Sequence, residues 1–181
     1  MNEWKLLHPA QRYNKSSMKY VLIRDEQPVD IPSIRSIVEE AFLQPAEARL
    51  VDRLRGDGEA VVSGVAVEAG QIVGYIMLSK MSAPFRALGL APVAVTPRRQ
   101  RNGVGSQLIR WGLEQAKSKG WQGVFVLGDP KFYGKFGFSA ALASGFESPY
   151  AGEHFMALAL NGFLPATSGK VEYAAAFKML D

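Results

Sequence analysis

The chain has 181 residues, 48% of them hydrophobic, with a formal net charge of +4 and a pI near 9.4, which is enough to bury the core of one domain. The absence of cysteine excludes disulfides, a thiol nucleophile and thiolate metal sites, and two histidines, His8 and His154, leave no zinc ligand set. No run of eighteen apolar residues and no apolar leader segment is present, so neither membrane association nor secretion is expected, and a cytoplasmic location is.

Residues 1–17 have no regular apolar period and read as a flexible N-terminal extension, leaving residues 18–181 as the single domain. Lys5, Arg12 and Lys15 against Glu3 place +2 of the charge in that extension. Lys19–Arg24 reads as a first strand. Asp30 is placed to cap a helix, with Pro32 in its first turn and Ile34, Ile37, Val38, Ala41 and Phe42 at helical spacing. A second helix begins at Pro45, carries Ala48, Leu50, Val51 and Leu54, and stops at Gly56-Asp57-Gly58. Ala60–Glu68 and Gln71–Leu78 flank a short Ala69-Gly70 turn and read as a hairpin. Leu88–Val95 is the next strand, and Pro92 within it points to an edge or a bulge.

That strand runs through Thr96-Pro97-Arg98-Arg99-Gln100-Arg101-Asn102-Gly103-Val104-Gly105-Ser106 into an amphipathic helix bearing Val104, Leu108, Ile109, Leu113 and Ala116. A basic, glycine-punctuated turn before a helix is suited to a pyrophosphate: the first helical N–H groups are unpaired, the helix dipole is positive there, and glycine lets a ligand approach closely. The same residues also fit a solvated connection. A P-loop would need Gly-Lys-Ser/Thr where the chain has Gly105-Ser106-Gln107, and a dinucleotide fingerprint would need a small residue at Leu108. Arg98, Arg99 and Arg101 account for much of the local positive charge without nucleic acid. No alternating basic and aromatic run of the single-strand-binding kind is present, and no specific nucleic-acid partner is expected.

Val124–Leu127 follows as a buried strand, parallel to Leu88–Val95 if the crossover is right-handed. Asp129 and Pro130 then cap and open a short helix, Phe155–Leu160 reads as a late strand and Glu172–Leu180 as a terminal segment.

Gln100-x-x-Gly103-x-Gly105 followed by Tyr133-x-x-x-Gly137-Phe138 resembles the acetyl-coenzyme A binding and C-terminal motifs of the GNAT N-acetyltransferases. Leu88–Val95, Leu127–Pro130 and Val171–Tyr173 are similar to the YhbS-like branch of that family, and the likeness runs from about Met18 to the C-terminus. The resemblance implies a mixed α/β (α+β) fold, with a mostly antiparallel central sheet flanked by helices and splayed at the cofactor strand. It further implies acetyl-CoA as co-substrate, no metal, and direct attack by an amine through a tetrahedral intermediate. Val93, Ala94 and Val95 would hold the pantetheine arm; Gln100, Arg101, Asn102, Gly103, Val104, Gly105 and Ser106 would hold the pyrophosphate. Tyr133 would be the general acid, since a phenol stays protonated at neutral pH. The general base is not legible, with Glu39, Glu40, Glu47, Glu153 and His154 as candidates. The acceptor would be a small-molecule or protein amine and the protein a monomer or homodimer, the alternative being an acyl-CoA binding module or sensor without turnover.

Overall fold

The computed structural model describes residues 20–180; the extension expected for residues 1–17 lies outside them. The elements are β1 (Leu22–Asp25), α1 (Ile31–Phe42), α2 (Ala46–Gly56), β2 (Ala60–Glu68), β3 (Gln71–Ser82), β4 (Ala87–Val95), α3 (Val104–Ser118), β5 (Gly123–Leu127) and α4 (Pro130–Tyr133). After them come α5 (Ala140–Ala143), β6 (Phe146–Glu147), β7 (Phe155–Ala159), β8 (Gly169–Lys170), β9 (Glu172–Tyr173) and a terminal 3-10 turn, Ala175–Met179. The main sheet runs β1-β2-β3-β4-β5-β7 with β9 beside β3, and β6 pairs with β8 apart from it. Within the main sheet only β4–β5 is parallel, so the expected mixed, mostly antiparallel sheet flanked by helices is the fold observed.

Apolar periodicity sorts the helices to the two faces. Val104, Leu108, Ile109 and Ala116 of α3 are buried against Val62, Ile76, Leu78 and Leu88 of the sheet. Ile34, Ile37 and Val38 of α1, with Leu50, Val51 and Leu54 of α2, cover Val65, Tyr75 and Met77 on the other face. Fully burying side chains of this size contributes about 1.5–3 kcal/mol each. A third, aromatic cluster closes the β5–β7 end, where Phe125 stacks on Phe155 at 5.4 Å and meets Phe146 edge-on at 5.3 Å. No helix of the described residues is long and apolar enough to cross a membrane.

The structure corrects several local readings. β1 begins at Leu22, without Tyr20 and Val21, because the register against Gly64–Val67 of β2 fixes it there; Lys19 lies outside the described residues. Asp30 does not cap α1 with its side chain. Its carboxylate instead accepts the N–H of Gln27 at 2.8 Å, closing a 3-10 turn, and takes both guanidinium nitrogens of Arg24 at 2.6 and 2.9 Å. Of the two readings of Pro92, the bulge holds and the edge does not, since the strand is interior: Val93 faces Ile76 and Leu90 faces Leu78, so Ala91 and Pro92 oppose the single residue Met77. The terminal segment divides into β9 and a 3-10 turn. The unanticipated α5, β6 and β8 are too short to carry a period and are held by burial of Ala143 and Phe146.

Asp30 is buried, and its hydrogen bonds from Arg24, outweighing the cost of burial, hold its carboxyl below the usual carboxylate range. That contribution is present above the unfolded-state pKa near 3.9 and is lost as pH falls through the lower folded value. Asp30→Ala is therefore expected to cost about 1–3 kcal/mol at pH 7, the range for stranding a buried partner. The difference from wild type in urea unfolding should narrow below about pH 4.

Candidate active site

β4 and β5 pair only from Ala87–Gly89 to Gly123–Phe125, and beyond those rungs they diverge into a wedge. Thr96 N–H donates to Val73 O across the β3 side at 3.0 Å, whereas Val95 O accepts the Gln100 side-chain amide at 3.0 Å. The alternation of an antiparallel ladder therefore turns the main chain of Val93 and Val95 toward the wedge and that of Ala94 toward β3. The Ala94 side chain is buried in the α1–α2 core.

At the end of β4 the chain makes a 3-10 turn at Pro97–Arg99 and then reverses through two left-handed residues, Arg101 (φ 59°) and Gly103 (φ 81°). The Asn102 amide donates to Gln100 O at 3.1 Å and holds the loop. Helix α3 starts at Val104, so the N–H groups of Val104, Gly105 and Ser106 point out of its positive end with no acceptor in the preceding turn. A Cβ at Gly103 would meet nothing within 4 Å, which leaves the space before the helix open to a ligand, while the positive φ favours glycine there.

These groups converge on a cleft of ≈ 690 Å³. Val93 and Val95 line it from β4, Gln100, Arg101 and Gly103 from the loop, and Gly105 and Ser106 from α3. Phe132, Tyr133 and Lys135 close the opposite wall, and Ala41 and Phe42 at the end of α1 complete it. The basic run is divided. Arg99 donates to buried Glu68 at 2.7 Å, Arg98 lines a separate cleft with Glu40 and Glu68, and only Arg101 of the three faces the wedge cleft. Lys135 is the second cation of the cleft; the sequence held its signal as a lysine two positions after Tyr133, in the turn leading to Gly137.

Tyr133 ends α4, whose cap Asp129 accepts the Lys131 N–H at 2.9 Å. Its ring meets Phe132 edge-on at 5.1 Å and Phe138 at 5.7 Å, so the Gly137 turn returns Phe138 to brace it. The ring also lies directly over Gly128, where a Cβ would be 2.4 Å from Tyr133 Cε2. Burial pushes the phenol pKa up, so it is a proton donor at neutral pH.

None of the five base candidates lines this cleft. Glu40 faces the separate cleft with Arg98, and Glu47 accepts from the Gln44 amide at 2.9 Å. Glu153 and His154 are exposed and 3.3 Å apart, with His154 Nδ1 3.1 Å from Gly128 O. Glu39 lies on α1, one turn before Phe42. Among the described residues no group of His, Asp and Glu is arranged to hold a metal.

The arrangement offers an anion cradle, an unpaired strand edge and a half-buried phenol around one space. Residues 59–140 match the acetyltransferase (GNAT) domain. The chain is 35% identical over 164 residues to the uncharacterized N-acetyltransferase YhbS of Escherichia coli K12, covering 84% of this chain and 96% of that protein. The crystal structure of Escherichia coli YhbS in complex with CoA superposes with a TM-score of 0.80 at 31% identity, covering 96% of both chains. A GNAT family acetyltransferase from Brucella melitensis in complex with acetyl-CoA gives a TM-score of 0.75 at 36% identity, over 88% of this chain and 99% of that one.

Gly128→Ala is expected to drive the Tyr133 ring away from residue 128, at a cost of about 1–3 kcal/mol for overpacking. The measurements are urea unfolding and the aromatic proton NMR shifts of Phe132 and Phe138; unchanged spectra would show that the contact does not fix the ring.

Proposed function

This chain belongs to the GNAT N-acetyltransferase family, and we propose that it binds acetyl-CoA in the wedge cleft and moves the acetyl group directly to an amine. The observation that carries this reading is the meeting of Val93, Val95, the Gly103–Ser106 cradle and Tyr133 in one cleft of ≈ 690 Å³. The residues fit the ligand. The open cradle at Gly103, three helical N–H groups, Arg101 and Lys135 suit a pyrophosphate. The β4 edge left unpaired by β5 suits an amide-bearing arm laid down as an added strand. Ala94, in the β3 ladder, fixes that edge in place, and Asn102 holds the loop through Gln100.

The chemistry is acyl transfer from a thioester. The amine nitrogen gives up a proton to solvent, then forms a C–N bond to the carbonyl carbon, with backbone N–H groups of β4 stabilising the oxyanion of the tetrahedral intermediate. The C–S bond breaks with its electron pair on sulfur. Tyr133 donates its proton to that sulfur and is restored by the second proton lost from nitrogen. No covalent enzyme intermediate is involved, in keeping with the lack of cysteine.

Acetyl-CoA is expected to raise the melting temperature, because it binds the folded chain, and Gly103→Asp, which adds bulk and negative charge at a φ of 81°, should abolish the shift while circular dichroism shows an intact fold. Calorimetry without binding to wild type would overturn the assignment.

Tyr133→Phe keeps the ring packing and removes the proton. Turnover should fall by about 10²- to 10⁴-fold with acetyl-CoA affinity unchanged. Turnover close to wild type would remove the acid from Tyr133, and its loss with binding retained separates a catalyst from a sensor.

A further inference from the structure

A second cavity lies between β4 and β5. Leu90 and Ala91 of β4 and Leu127 of β5 frame a throat of ≈ 270 Å³, covered by Tyr150, Tyr173 and Phe177. Leu90 precedes the bulge and Ala91 lies within it, whereas Val93 and Val95 beyond it line the cofactor cleft, so the two spaces adjoin the same stretch of strand. The throat shares Tyr150, Tyr173 and Phe177 with an outer cleft of ≈ 540 Å³.

Throat and rim differ in chemistry. Among the described residues the throat is lined by apolar and aromatic side chains, Leu180 included, and by no carboxylate. Charge appears only at the outer cleft, where Glu59 is 3.9 Å from Lys80 and Glu172 is 2.6 Å from Lys170. The Tyr173 ring is fixed, resting on Gly89, 5.7 Å from the Tyr150 ring and 4.7 Å from Phe177. Burial, with Tyr150 and Tyr133 nearby, raises the Tyr173 pKa, so this phenol is no base at neutral pH.

A polycation entering such a throat loses hydration for each charge and meets no charged side chain among the described lining residues. A monoamine on an aromatic body buries its ring among aromatic edges and brings one ammonium, whose pKa the apolar surroundings lower. The missing general base then has a physical substitute, since desolvation releases the proton to solvent. Resting on the acetyltransferase reading above, we infer that this throat is the acceptor site and that it selects arylalkylamines over polyamines and amino acids.

The test uses the full chain with acetyl-CoA, following thiol release with 2-phenylethylamine, spermidine and lysine as acceptors. The kcat/KM for 2-phenylethylamine should exceed the other two by about tenfold or more, the scale of apolar pocket discrimination. Leu127→Glu places a carboxylate at the throat on a residue that is 47% exposed and so tolerant of change. It should raise the KM for 2-phenylethylamine about tenfold and lower that for spermidine, with acetyl-CoA affinity unchanged by calorimetry. Tyr150→Ala should raise the 2-phenylethylamine KM without inverting the preference. Preference for spermidine or lysine in wild type, no turnover of 2-phenylethylamine by a chain that binds acetyl-CoA, or an unmoved preference in Leu127→Glu would each overturn the inference while leaving the cofactor site standing. Failure to bind acetyl-CoA would overturn both.

Discussion

Strand β4 lies inside the sheet yet is paired on both sides for only three residues, Ala87–Gly89. Peptide groups inside a protein need hydrogen-bond partners, so the stretch beyond Gly89 must satisfy its β5-facing groups by other means. Gln100 takes one of them, the Val95 carbonyl. Pro92 brings no N–H to the problem, and the bulge around it shifts the alternation so that Val93 and Val95 face the opening. The positions of the cradle, the phenol and the aromatic throat all follow from this incomplete pairing.

Charge is divided around the opening. Of three consecutive-looking arginines, Arg99 is held by Glu68 and Arg98 serves another cleft, leaving Arg101 and, across the wedge, Lys135. Helical N–H groups supply the remaining positive potential, and these cannot be titrated or screened as freely as exposed side chains. The phenol is set by packing instead: its place among Phe132, Phe138 and Gly128 raises the Tyr133 pKa further above the ordinary phenol value.

The sequence made the long elements and the cradle legible, because helical spacing in α1–α3, alternation in the β2–β3 hairpin and the Gly103–Gly105 turn are local signals. Asp30 was misread because capping and ion pairing use the same carboxylate, and the competing Arg24 comes from β1. The fate of Arg99 depended on Glu68, thirty-one residues away. Phe42 was invisible as a cleft residue for a related reason: tertiary packing, not spacing, brings the end of α1 to the cleft that Tyr133 and Lys135 also line. The short β6, β8 and β9 carry too few residues to show any period.

Mechanically, the main sheet is two leaves, β1–β4 and β5–β7, joined along three rungs. Phe85, Phe125, Phe146 and Phe155 pack at the joined end, with ring centroids 5.3 to 6.2 Å apart, and resist shear there. The gap between the leaves is therefore closed at Gly89 and open at Val93 and Val95. The sheet is built as a clip, with the packing that joins the strand pair and the cleft that parts it at opposite ends.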